Sequence, residues 1–163
     1  MTNTRPLLIA YDGSASARTA VEQTARLFPG AQTIVLYARQ PLEGLASHLE
    51  GHPALEELRR LDAATLDTSE SIASEGAKYA TELGLAAEGR VSSSMQTASA
   101  AIALVAEELD AAVVILGTRG RGGVRSALLG STSTNVLHHT ERPTLVIPSQ
   151  DVVLDRQEIQ RRN

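Results

Sequence analysis

The residue types best suited to chemistry lie in one stretch, Gly117 to Thr132, which reads GTRGRGGVRSALLGST. Gly117, Gly120, Gly122 and Gly123 are interleaved with Arg119 and Arg121, and Arg125 follows. The stretch closes on Gly130-Ser131-Thr132. Glycine lacks a Cβ, so its backbone can approach an oxyanion closely. The N–H groups that open a helix point at such an anion, and the helix dipole favours it. Glycines alone would also make an ordinary tight turn, and each arginine alone would be a solvated loop residue. The helical pattern that begins at Ser131 favours a phosphate cradle over the tight turn, while the solvated reading is favoured for each arginine taken alone. Ser131 is expected to cap that helix and to offer its hydroxyl to the same phosphate. One of the arginines is a candidate to reach a γ-phosphate.

Asp12 is the second candidate. It follows the apolar run Leu7-Leu8-Ile9-Ala10-Tyr11 and precedes Gly13-Ser14. A carboxylate at the end of a buried strand is a turn former or a site residue, and its place favours the site. Other chemistries find less support. No G-x-x-x-x-G-K-[ST] is present, and no G-x-G-x-x-G follows the first strand, so neither the Walker loop nor the dinucleotide fingerprint applies. His48 and His52 are four apart, but Gly51 and Pro53 oppose a helix there, and a metal pair is disfavoured. His138 and His139 end a helical pattern, where a cation suits the dipole. No Ser-His-Asp set or carboxylate pair suggests general acid–base work. With no cysteine, thiolate metal sites and thiol nucleophiles are excluded.

These residues must be positioned by the elements around them. Apolar, β-branched runs predict strands at residues 7–11, 33–38, 113–116 and 144–147, with a weaker one at 85–91. Helical spacing predicts helices after Ser14, over 54–83, over 97–109 and over 131–139. Ser14 or Ser16 is the expected cap of the first. Asp67-Thr68-Ser69 is a candidate interruption of the second. Residues 39–53 hold two prolines and two glycines without a period and read as a loop long enough to be a lid. Ser92-Ser93-Ser94 reads as a polar linker. The alternation β-α-β-α-β-α-β-α-β implies an α/β fold, a doubly wound parallel five-stranded sheet with helices on both faces. Ligands of such sheets sit outside the strands' carboxyl ends, where the strand order reverses. Asp12 and the glycine stretch are therefore expected to be neighbours in space.

Composition narrows the functional classes. The chain has 163 residues, which suits one domain. Its net charge of -4 argues against a general nucleic-acid binder. No run approaches the length of a membrane span, and the first residues carry no long apolar segment, so a cytoplasmic protein is expected. Aromatics are limited to Phe28, Tyr11, Tyr37 and Tyr79, so Ala, Leu, Val and Ile must build the core. The expected domain spans residues 1–148, followed by a charged tail over 149–163.

The spacing Gly117-x2-Gly120-x9-Gly130-Ser131 after a buried strand resembles the ATP-binding members of the universal stress protein family. LLIAYDGS resembles the first strand and aspartate of that family, TIVLYA its second strand and PTLVIP its last. The resemblance implies sheet order 3-2-1-4-5 and a homodimer paired through the last strand. It implies ATP as ligand, with Mg2+ held through the phosphates, and an unidentified regulatory protein partner. Carried over by position, Gly117, Thr118, Arg119, Gly120, Gly130, Ser131 and Thr132 surround ribose and phosphates. Ala10, Asp12 and Gly13 line the nucleoside end, Ala38 meets adenine through its backbone, and Leu116 flanks the base. Two departures fall outside the motif: Ser93-Ser94-Met95-Gln96 replaces a Gly-acid-Pro turn, and Tyr37 stands where His is frequent. The resemblance implies a regulatory module with slow or no hydrolysis. An interaction protein without nucleotide and a low-turnover ATPase are the alternatives. Gly120→Val or Gly130→Val is expected to abolish ATP binding with little loss of fold, because a side chain would crowd the phosphates; calorimetric titration of both variants checks this.

Overall fold

The computed structural model describes residues 5–42, 48–118 and 130–162. The elements run β1 (Leu7–Ala10), α1 (Ala15–Leu27), β2 (Gln32–Arg39), α2 (Ala54–Glu82), β3 (Ala86–Ser93), α3 (Ala98–Glu108), β4 (Val113–Gly117), α4 (Ser131–His139), β5 (Thr144–Ile147) and α5 (Gln150–Arg162). The five strands form one parallel sheet in the order β3-β2-β1-β4-β5. Central β1 reads LLIA because both of its faces are covered. Leu7 and Ile9 join Val21, Val35, Ala80 and Ile115 in the core beneath α1 and α2. Leu8 joins Leu36, Ile102, Val105, Val114 and Val136 in the core beneath α3 and α4.

The caps follow from side-chain chemistry. Ser14 accepts the Ala17 N–H at 3.2 Å and opens α1; Thr97 accepts the Ala100 N–H at 3.3 Å and opens α3. Asp67-Thr68-Ser69 does not interrupt α2. Thr68 and Ser69 turn their hydroxyls back to the Ala64 and Thr65 carbonyls, at 2.9 and 2.7 Å, so the polar run is satisfied within the helix.

Two other expectations change. β3 extends through Ser92 and Ser93, which pair with Ala38 and Arg39 and form no linker. Arg39 is the last residue of β2; it is buried and paired with Asp62 of α2, whose carboxylate also accepts the Leu42 N–H at 2.6 Å. That pair fixes the start of the segment expected to be a loop, and residues 43–47 of that segment lie outside the described residues. Residues 150–162, within the stretch expected as a charged tail, form the helix α5.

Small residues set how closely the layers approach. Tyr11 follows β1 with its ring buried over Gly76 of α2, where an added Cβ would meet the ring carbons at 2.6 Å. That ring is hemmed in by the core and has nowhere to retreat. Gly76→Ala is therefore expected to cost about 1–3 kcal/mol of stability as an overpacking change, measured by urea denaturation.

Candidate functional site

β1 has β2 on one side and β4 on the other, and its two neighbours are reached by crossovers on opposite faces of the sheet. The carboxyl ends of β1 and β4 therefore part at a crevice. A cavity of about 180 Å³ lies there. Ala10 and Asp12 line it after β1, Ala38 from β2, Leu116 and Gly117 from β4, and Thr132 from the first turn of α4. Six of the residues expected at the site are thus brought together from four separate parts of the chain.

The loop after β1 is built to hold its shape. Gly13 has φ of 78°, a left-handed conformation that favours glycine. Asp12 accepts the Ser14 N–H through Oδ1 at 2.9 Å, and Ser14 in turn caps α1. The end of β4 is equally constrained. A Cβ on Gly117 would meet the Ser16 carbonyl oxygen at 2.8 Å and its carbon at 2.9 Å. The missing side chain at 117 therefore admits the first turn of α1. On its other side the Gly117 carbonyl accepts the Ser133 hydroxyl at 2.8 Å, which draws α4 to the strand end.

The start of α4 differs from those of α1 and α3. Gly130 is the N-cap, with φ -68° and ψ 156°, and no side chain caps the helix. Ser131 is the first helical residue and is exposed, so the expected serine cap is replaced by glycine. The Gly130 N–H donates to the Thr118 carbonyl at 2.6 Å, which fixes the entry of the chain into α4. The first-turn N–H groups of Ser131, Thr132 and Ser133 have no carbonyl four residues back within the helix. They carry the positive end of the helix dipole. This is the chemistry of an anion receptor, next to a cavity lined by Thr132 and Ser133.

Other expected site residues stand apart from the cavity wall. Thr118 is buried, and its hydroxyl accepts the Ser149 N–H at 3.1 Å, a contact that ties β4 to the chain after β5. Gly13, Gly130 and Ser131 flank the cavity without lining it. Arg119, Gly120, Arg121, Gly122, Gly123 and Arg125 lie outside the described residues. The cavity also has walls that sequence reasoning missed: Tyr11, Ala17, Leu36 and Tyr37 beside the expected residues, and Ala98 and Ile102 of α3. Only the alternation of Leu36 with Ala38 along β2 carried a signal for any of these. His52 has a structural role, its Nδ1 accepting the Ala54 N–H at 3.1 Å where α2 begins. Among the described residues no group of three or more His, Asp or Glu could hold a metal ion, and no helix is long and apolar enough to cross a membrane.

Residues 3–148 match the universal stress protein family. The chain belongs to that family. A universal stress protein of Thermus aquaticus is 31% identical over 147 residues, which cover 88% of this chain and 98% of the relative. Among solved structures, a universal stress protein in complex with cAMP superposes with a TM-score of 0.61 at 20% identity, covering 90% of this chain and 98% of that one. A universal stress protein family protein from Arabidopsis thaliana with AMP bound gives a TM-score of 0.58 at 14% identity, covering 89% and 92%. The family match stops at Pro148, and α5 lies beyond the matched residues.

A polar network behind the site holds its floor. The Tyr11 hydroxyl donates to Glu75 at 2.6 Å, and Glu75 also pairs with Arg18 of α1. Arg18 lies over the Tyr79 ring, 5.2 Å from its centre, and Tyr79 donates to Glu22 at 2.6 Å. Burial, reinforced by the Glu75 carboxylate, pushes the Tyr11 hydroxyl well above the ordinary tyrosine range. The stability this gives is complete below the unfolded tyrosine value, about 10, and is lost as pH rises through the higher folded value. Lys78 is the sole lysine of the chain, so few other groups titrate in that window. Tyr11→Phe is therefore expected to lessen the fall in stability above pH ~10; urea midpoints of both proteins across the alkaline range check it.

Proposed function

We propose that this universal stress protein is an ATP-binding regulatory module whose phosphates rest on the uncapped start of α4. The observation that carries the reading is the junction of that helix start with the cavity between Asp12 and Gly117. The nucleoside occupies the described cavity, with Ala38 and Leu116 against the base and Ala10, Asp12 and Gly13 toward the ribose. The phosphates extend over Gly117, Thr118, Gly130, Ser131 and Thr132 toward Arg119 and Gly120. The AMP and cAMP held by two relatives of the same fold support a nucleotide as the ligand class. Mg2+ is carried by the phosphates in this reading. Hydrolysis is slow or absent in this reading.

The chain acts as a homodimer through β5. The Pro143 and Ile147 carbonyls accept the N–H groups of Val114 in β4 and of Thr118 just after it, so alternation turns the main-chain groups of Thr144 and Val146 outward. That unpaired edge is what a second copy would cover. Nucleotide regulates by favouring one arrangement of the site, effective only to the extent that it binds the arrangements differently. ATP with Mg2+ is expected to raise the melting temperature and to bind with one site per chain, with weaker effects from AMP and GTP. Gly130→Val keeps the fold, since φ and ψ there suit any residue, and is expected to weaken ATP binding at least about tenfold. ATP affinity unchanged in that variant, or no ATP binding in the parent chain, would overturn the assignment.

A further inference from the structure

The two edges of the sheet are not alike. β5 has four residues and is followed by Pro148, so its edge is short. β3 has eight residues in unbroken register with β2, with no proline along it. The Ala86 N–H donates to Ala31 and the Ser94 N–H to Arg39, so residues 86, 88, 90, 92 and 94 face β2. Alternation turns the N–H and C=O groups of Ala87, Gly89, Val91 and Ser93 away from the sheet. The same four residues line a groove of about 750 Å³, the largest of the described cavities.

The other wall of that groove is the flank of α2. From Leu66 to Glu82 it runs ~24 Å along the helix, and the strand wall spans ~20 Å. Small residues let the two walls meet at the base of the groove. Ala73 and Ala77 face Ala87 and Gly89, and a Cβ on Gly89 would meet the Ala73 carbonyl oxygen at 2.7 Å. A free strand edge beside a parallel helix flank is the geometry that accepts an added strand. The charge of the groove selects the added strand. Glu70 and Glu82 of α2 line it against Lys78 alone, and among the described residues none of the three is in an ion pair.

We propose that the groove between β3 and α2 is a docking site for an extended basic peptide segment of a partner protein, which adds to the sheet as a sixth strand. Main-chain bonds to Ala87, Gly89, Val91 and Ser93 hold the segment, and lysine or arginine side chains on it meet Glu70 and Glu82. The site is independent of the nucleotide reading and stands or falls without it.

The test is an NMR titration of the full chain, 15N-labelled, with an N-acetylated heptapeptide of alternating lysine and valine. The expected result is perturbation and slowed exchange of the Ala87, Gly89, Val91 and Ser93 amides together with the α2 flank. The same peptide with glutamate for lysine is expected to bind at least about tenfold more weakly. The double variant Glu70→Lys, Glu82→Lys lies on exposed helix positions and is expected to weaken the lysine peptide by a similar factor. Val91→Pro removes one outward N–H and is expected to abolish binding, as proline is tolerated only at edges. If that variant does not fold, the charge-reversed protein and the amide map still decide the matter. No perturbation at about 1 mM peptide, equal binding of the two peptides, or perturbation confined elsewhere would overturn the proposal. So would a β3-paired dimer in sedimentation that Val91→Pro dissociates, since a second copy would then hold the edge.

Discussion

The close approach of two helices to one strand end is the constraint on which the site depends. At Gly117 the backbone of β4 is contacted from the α1 side by Ser16 and from the α4 side by the Ser133 hydroxyl. A side chain at 117 would force these apart. Because they meet, the Asp12–Gly13 turn before α1 and the glycine-capped start of α4 face one crevice. The rest of the sheet serves to hold that meeting in place. Leu8, Ile9, Val114 and Ile115 are buried on both faces of β1 and β4, and the two strands are in direct register. Rigid packing of this kind transmits small displacements, so the crevice tolerates little change in its walls.

Two elements at the crevice have opposite electrostatic designs. α1 begins on a serine whose side chain satisfies one of its free amides, and Asp12 satisfies the amide of that serine. α4 begins on a glycine, which offers no side chain to its amides. The helix that is capped from within needs no ligand, and the one that is not leaves its dipole for an anion. The polar network of Tyr11, Glu75, Arg18, Tyr79 and Glu22 joins β1, α1 and α2 behind this arrangement. It fixes the capped helix, against which the open one is set.

The fold was legible in the sequence wherever burial dictated composition. β1, β2, β4 and β5 are apolar runs because covered strands have no solvent face, and sheet order followed from the family resemblance. β3 was only partly legible: Ala86, Ala87, Gly89, Ser92 and Ser93 have weak strand preference, and they extend because β2 offers eight residues to pair with. The continuity of α2 was hidden because Thr68 and Ser69 look like breakers until their hydroxyls find carbonyls one turn back. At the site, Asp12 and Gly117 could be read from strand ends and the glycine spacing, while Leu116 and Thr132 followed from the family resemblance. Ala98 and Ile102 could not, because only the packing of α3 brings them to the cavity. The reason for glycine at 117 was also illegible, since its neighbour Ser16 lies a hundred positions away in the chain.

The central claim is that the first-turn amides of α4 receive the phosphates. The most direct measurement follows the Ser131, Thr132 and Ser133 amide resonances as ATP is added to the full chain, with adenosine as the phosphate-free control. The account predicts large shifts of these three amides with ATP, saturating together with those of Asp12 and Ala38. With adenosine, shifts at Asp12 and Ala38 should persist while the α4 amides stay in place. ATP that binds and leaves the Ser131, Thr132 and Ser133 amides unmoved would contradict it.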